Sequence, residues 1–236
     1  MYTIGGVDLY GKYLENMLRY NIETRTWLEP VTWGKDVNFP KNNFHAAVQR
    51  LDGKVLVFGG KSNGYSKNVW SFNVEDLSWE VVKTTGDVPA GRYGHTAVIN
   101  EENTKVYLFG GYDNELGLSN DLYELDLGTM NWTYIKCDKE QNTPEPRYGH
   151  FSFLTKDKKD NLQMVVFGGR GAKGVLGDLW IFNVNKLQWY ELSVAGEKPA
   201  GRYGFGAFVA DGELFILGGF DGKTVVFKDI WAINFK

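Results

Sequence analysis

Lys105-Val106-Tyr107-Leu108-Phe109-Gly110-Gly111 sets four β-forming residues in an unbroken apolar run and ends it on two glycines. A run without polar alternation predicts a strand covered on both faces. The same event recurs at Met1-Tyr2-Thr3-Ile4-Gly5-Gly6, Val55-Leu56-Val57-Phe58-Gly59-Gly60, Met164-Val165-Val166-Phe167-Gly168-Gly169 and Leu214-Phe215-Ile216-Leu217-Gly218-Gly219. The leading glycines are 54, 51, 58 and 50 residues apart. A period near fifty marks a repeat array, and the rest of the chain is read in phase with it.

Aligned on the glycines, each unit has four parts. The first carries Arg92-Tyr93-Gly94-His95, Arg147-Tyr148-Gly149-His150, Arg202-Tyr203-Gly204-Phe205 or the divergent Asn42-Asn43-Phe44-His45. The second is the glycine-ended strand. The third opens on Asn68, Asp121, Asp178 or Asp229, with a weaker copy at Asn16. The fourth begins at Trp27, Trp79, Trp132 or Trp189, each six residues after Asn21, Asn73, Asp126 or Asn183. That constant spacing predicts a tight hairpin turn. Four consecutive antiparallel strands cannot bury both faces alone, so the units are expected to pack radially as the blades of an all-β propeller. The repeated aromatics would fill the gaps between blades, and the glycines would admit close backbone approach.

The whole chain reads as one domain, 1–236, with units near 1–41, 42–91, 92–146, 147–201 and 202–236. Counted by strands, the first unit lacks its innermost strand and the fifth its outermost. This leaves two expectations, a five-bladed ring with incomplete first and last blades or part of a larger propeller, and the second is preferred. Composition narrows the function classes. A formal charge of −3 and scattered lysines argue against nucleic acid and anionic membranes. Cys137 stands alone, which excludes an internal disulfide and fits a reducing compartment. With no apolar stretch near twenty residues and no secretory leader, the expectation is a cytoplasmic protein, the nucleus remaining open.

The double glycines, the tryptophan spacing and the Pro89-Ala90-Gly91-Arg92 and Pro199-Ala200-Gly201-Arg202 stretches together resemble the kelch repeat, over essentially the whole chain. The resemblance implies a kelch or galactose-oxidase-like propeller. It also implies a protein-interaction adaptor, with small GTPases, actin or ubiquitin-ligase components as partner classes known among similar proteins. Some similar propellers are enzymes. The copper oxidases among them use a Cys-Tyr crosslink, and no such arrangement surrounds Cys137. Plant specifier proteins of this type hold iron on a loop cluster containing His, and no His lies in the long loops here. No cofactor or metal is expected, and no enzymatic activity.

Function is expected on the face where the longer loops emerge, since variable loops on a rigid scaffold carry binding. These loops span 7–15, 61–67, 112–119, 170–177 and 220–228, joined by 35–41, 85–91, 138–146 and 195–201. Tyr10, Tyr65, Tyr112, Arg170 and Phe220 fall in the first set and are candidates to contact an unidentified protein or peptide. Arg92, Arg147 and Arg202 are further candidates, as an electropositive ring at the channel mouth; the preferred reading has each bridging neighbouring blades through backbone carbonyls or a third-strand aspartate. His45, His95 and His150 share one repeat position. A metal ring is conceivable there, but Phe205 takes the fourth place, and a repeated hydrogen-bonding role is preferred. The alternative to a binding module is a small-molecule or metal-dependent enzyme acting at the channel mouth.

Overall fold

A computed structural model describes residues 1–8, 10–14, 17–31, 42–137, 142–193 and 196–234. Glu15, Asn16, the loop 35–41, residues 138–141 and Ala195 lie outside the described residues. Among the described residues every regular element is a β-strand. Blade I holds Tyr2–Ile4, Met17–Asn21 and Thr26–Val31. Blade II holds Ala46–Gln49, Lys54–Phe58, Val69–Asn73 and Trp79–Val82. Blade III holds Thr96–Ile99, Lys105–Phe109, Leu122–Asp126 and Asn131–Tyr134. Blade IV holds Phe151–Lys156, Leu162–Phe167, Leu179–Asn183 and Gln188–Glu191. Blade V holds Gly206–Ala210, Glu213–Leu217 and Ile230–Asn234. Within each blade, consecutive strands pair antiparallel in chain order. The first strands of blades II, III and IV lie side by side. This is the blade architecture of a kelch-type propeller.

The apolar second strands explain the stacking. Val106, Tyr107, Leu108 and Phe109 are between 0% and 3% exposed. Val106 and Leu108 pack with Leu56, Phe58 and Val69 of blade II, whereas Tyr107 and Phe109 pack with Met164, Val166 and Phe182 of blade IV. Side chains alternate across a strand, so one strand feeds two cores, one on either side of its blade. Blades II and IV repeat the arrangement: Val57 turns to blade I, and Val165 and Phe167 turn to blade V.

The third-to-fourth hairpin follows from its six-residue spacing. The side-chain oxygen of Asn21, Asn73, Asp126 or Asn183 accepts a backbone N–H at the start of the turn. Arg25, Leu77, Met130 and Leu187, all two residues before the tryptophan, then adopt positive φ of 53–59°. Each turn thus delivers its tryptophan in the same register, opposite Tyr20, Phe72, Leu125 or Phe182. One connection departs from the simple loop expected of it. Within 85–91, Thr85–Gly86 pairs parallel with Asn131–Trp132 and so clips blade II to the outer edge of blade III.

Gly110 and Gly111 set the distance between blades. The Gly111 N–H donates to the Arg147 carbonyl of blade IV at 2.8 Å, and Gly60 and Gly169 make the same bond to Arg92 and Arg202 at 2.7 and 2.9 Å. Gly110 has φ of +67°, and a Cβ there would stand 2.9 Å from both the Arg147 carbonyl oxygen and the His150 ring. Gly110→Ala is therefore expected to cost about 2–4 kcal/mol in urea unfolding, through left-handed strain and forced separation of the blades. Gly64→Ala, at a position with open space around it, should stay within about 0.5 kcal/mol of the parent. Equal midpoints for the two variants would remove the glycine pair from this role.

Candidate partner-binding rim

After each glycine pair the chain bends back over the blade in a short hairpin. In blades I, III and V an aspartate two residues on (Asp8, Asp113 or Asp221) caps it, its Oδ1 accepting backbone N–H groups of the bend. The residue directly after the glycines pairs with the residue that follows the arginine position: Tyr112 with Tyr93, Arg170 with Tyr148, Phe220 with Tyr203, and Lys61 with Asn43. Two side chains per blade are thereby presented at the same level on the loop face.

These pairs join into one aromatic rim. Tyr65 lies 5.2 Å from Tyr93 and 6.1 Å from Tyr112, ring centre to ring centre. Tyr93 stacks on Tyr112 at 5.6 Å and meets Tyr148 at 5.9 Å. Tyr148 meets Tyr203 at 5.8 Å, and Tyr203 meets Phe220 at 5.8 Å. Phe44, 58% exposed, touches Tyr93 from blade II. Two cations lie over these rings: Lys61 Nζ is 5.3 Å from the Tyr93 centroid, and the Arg170 guanidinium 5.5 Å from that of Tyr203. Burial pushes the Tyr93 phenol above its ordinary pKa, with neighbouring tyrosines adding to the shift, so the ring stays a neutral donor. Beside the rim a cavity of about 760 Å³ opens between blades IV and V, lined by Arg170, Lys173, Lys223 and Phe227 among others.

Of the residues expected here, the structure brings together Tyr65, Tyr112, Arg170 and Phe220. Tyr10 is 96% exposed in the blade I loop and, among the described residues, touches none of these rings. Tyr93, Tyr148, Tyr203 and Lys61 were missed. Their signal was the repeated tyrosine beside each arginine and the position directly after each glycine pair.

The arginine ring requires correction. Arg92, Arg147 and Arg202 are at most 2% exposed. Their Nη1 groups donate to the carbonyls of Gly110, Gly168 and Gly218 in their own blades at 2.9–3.1 Å. Arg147 also grips Asp178 through two bonds of 2.7 and 2.8 Å, and Arg202 grips Asp229 at 2.6 and 3.0 Å. Trp180 and Trp231 donate their indole N–H to the same aspartates at 2.7 Å. Burial raises the Asp178 pKa, but the bonds and charge of Arg147 outweigh it and hold the carboxyl below its usual value. These guanidinium groups are consumed inside the blades and leave no charge for a ligand at the mouth. In blade II the arginine and aspartate are replaced together: Asn42 donates to the Gly59 carbonyl, and Asn68 stands where the other blades have a carboxylate or its equivalent.

The histidines also sit between blades. A Cβ on Gly59 would lie 2.7 Å from the His95 ring, one on Gly110 2.9 Å from the His150 ring, and one on Gly168 3.1 Å from Phe205. The ring of each blade covers the leading glycine of the blade before it, which is why Phe serves as well as His. His150 Nε2 is also within 2.9 Å of Thr96 Oγ1 on blade III. Among the described residues no group of three or more His, Cys, Asp and Glu could hold a metal.

Residues 44–236 match the KLHDC2/KLHL20/DRC7 Kelch-repeats domain. The chain belongs to the kelch-repeat family. Similar proteins come from plant, animal and algal sources. The chain is 28% identical over 239 residues to acyl-CoA-binding domain-containing protein 5 of Arabidopsis thaliana, covering 98% of this chain and 36% of that protein. It is 30% identical over 197 residues to human Kelch domain-containing protein 3, covering 78% and 49%. It is 32% identical over 162 residues to the flagellar outer-arm dynein alpha chain of Chlamydomonas reinhardtii, covering 67% and 4%. The chain therefore spans about half or less of the length of these relatives. Kelch domains are, as a class, protein-interaction modules.

The buried kelch histidines make acid stability a direct test. Burial, and then the charge of Arg92, lowers His95 to about 3; burial lowers His45 to about 4. Their folded values lie below the unfolded value of 6.5, so the stability they contribute is complete above pH 6.5 and is lost as pH falls towards 4. The steepening is at most about 1.4 kcal/mol per pH unit for each histidine. His95→Phe, which copies Phe205, should flatten the fall in unfolding free energy between pH 6.5 and 4. An unchanged slope would show that His95 is not buried neutral.

Proposed function

We propose that the chain is a protein-interaction module that receives an extended segment of a partner protein across the aromatic rim. The observation that carries this reading is the continuous set Tyr65, Tyr93, Tyr112, Tyr148, Tyr203 and Phe220, half-buried rather than covered, with Lys61 and Arg170 over ring faces. Tyrosine and arginine give large contact area, a hydrogen-bonding tip and little lost rotamer freedom, which is why they dominate interface hot spots. The rings hold one another in place before a ligand arrives, so little ordering is required on binding. The hairpins that display them are pinned by backbone pairs to the blades, which makes the rim part of the scaffold.

Small GTPases, actin and ubiquitin-ligase components are the partner classes that family analogy offers, and the rim alone does not choose among them. Capture of partners by the purified domain, followed by mass spectrometry, supplies the identity. Combined Tyr65→Ala, Tyr112→Ala and Arg170→Ala should then weaken the captured partner at least about thirtyfold while the domain remains folded by circular dichroism. Undiminished affinity in the triple variant would place the interaction elsewhere on the molecule.

A further inference from the structure

The bend that follows the glycine pair is built differently in blade II. In blades I, III and V the residue two places after the pair is an aspartate. Its Oδ1 accepts the N–H of the residue two further on, Tyr10 at 2.9 Å, Glu115 at 2.9 Å or Lys223 at 2.8 Å. This is the ordinary cap that an aspartate side chain gives a tight turn. In blade II the same position holds Ser62, and the residue two further on is Gly64. The Ser62 N–H donates to the Gly64 carbonyl at 2.9 Å, and Lys61 pairs with Tyr65 across the bend. Among the described residues the Gly64 N–H has no acceptor.

Asn63 stands directly before it. Asn63-Gly64 is the one Asn-Gly step in the chain, both residues are exposed, and a Cβ on Gly64 would meet nothing within 4 Å. An asparagine is the thermolabile residue type whose side-chain amide lies within reach of the next backbone nitrogen. When that next residue is glycine, no Cβ shields the nitrogen. In the capped blades an aspartate holds the equivalent N–H. In blade II the attacking group is both unshielded and unheld.

We propose that Asn63-Gly64 is a self-modifying site, at which the chain converts one amide of the rim loop into a carboxylate. The Gly64 nitrogen forms a bond to Asn63 Cγ, the Cγ–Nδ2 bond breaks, and the side-chain nitrogen leaves as ammonia with the proton that Gly64 gives up. Water then opens the cyclic imide. Opening at Cγ leaves aspartate; opening at the backbone carbonyl leaves isoaspartate, whose main chain runs through Cβ and Cγ. One water is consumed, one ammonia is released and no electron is transferred. Either product sets a negative charge between Lys61 and Tyr65, which carry blade II into the rim. Lys61 Nζ lies 5.8 Å from the Tyr65 ring centre and 5.3 Å from that of Tyr93, so the new charge offsets the one cation over these rings in blade II. The chemistry stands on the bend alone, whereas its effect on a partner rests on the rim being the binding surface.

The test is to incubate the purified chain at mildly alkaline pH and digest it with trypsin, which releases residues 62–67 as one peptide. Its deamidated forms should accumulate faster than those of any other asparagine. The rate should equal that of the synthetic, terminally blocked peptide 62–67, since a site that needs no opening reacts as the free chain does. Ser62→Asp restores the cap of the other blades. It should slow the reaction about fivefold in the folded chain, the factor that one ordinary hydrogen bond contributes, and should change the free peptide little. The ring-proton shifts of Tyr65 and Tyr93 should move as the acidic form accumulates, and in the same direction in Asn63→Asp. The proposal is overturned if Asn63 stays intact while the free peptide reacts, if Ser62→Asp fails to slow the folded chain, or if the tyrosine shifts do not follow the product. None of these measurements involves a partner, so their failure is distinguishable from failure of the rim as a binding surface.

Discussion

The N–H of Gly6, Gly60, Gly111 and Gly169 reaches the carbonyl of the arginine, or asparagine, that begins the next blade, at 2.7–3.0 Å. This bond holds the blades at a spacing that their side chains then fill. It requires a residue without a Cβ immediately before it, because the Gly110 position faces the same carbonyl and the ring of His150. The arginine closes the arrangement from the other direction: its carbonyl serves the preceding blade while its guanidinium holds the glycine carbonyl of its own. A second line of backbone bonds, Gly94 to Phe44, Gly149 to Gly94 and Gly204 to Gly149, runs from blade to blade at 2.8–3.1 Å.

From this spacing the cores follow. A second strand such as Lys105–Phe109 has a blade on each side, so the side chains of Val106 to Phe109 enter two separate clusters in alternation. Buried arginines have carboxylate partners: Arg92 lies 3.7 Å from Asp113, and in the Arg147–Asp178 and Arg202–Asp229 pairs two hydrogen bonds and an indole N–H satisfy the carboxylate. Removing one partner of such a pair would leave an uncompensated buried charge, which is the costly case. Blade II avoids that cost by replacing the arginine and the third-strand aspartate together, with Asn42 and Asn68.

The rim is where the repeat is least uniform. The residue after the glycines is Lys61, Tyr112, Arg170 or Phe220, which keep one backbone position while differing in chemistry. The scaffold thus fixes where side chains appear on the rim, and their identities select what they meet.

The sequence alone determined the strand order and the hairpin register, because each is written in short-range signals: an apolar run, a glycine pair, an Asn or Asp six residues before a tryptophan. It also placed Tyr65, Tyr112, Arg170 and Phe220 on one face. For the arginines it favoured bonds to carbonyls or aspartates over a charged channel mouth but set those bonds between blades; only packing shows Arg147, 0% exposed, bonded to Asp178 of its own blade. It did not connect Tyr93, Tyr148 and Tyr203 to the loop residues, because those contacts join segments from different blades. Ring contacts, ion pairs and cavities depend on distances between blades, and those distances arise only when the glycine-to-carbonyl bonds have formed.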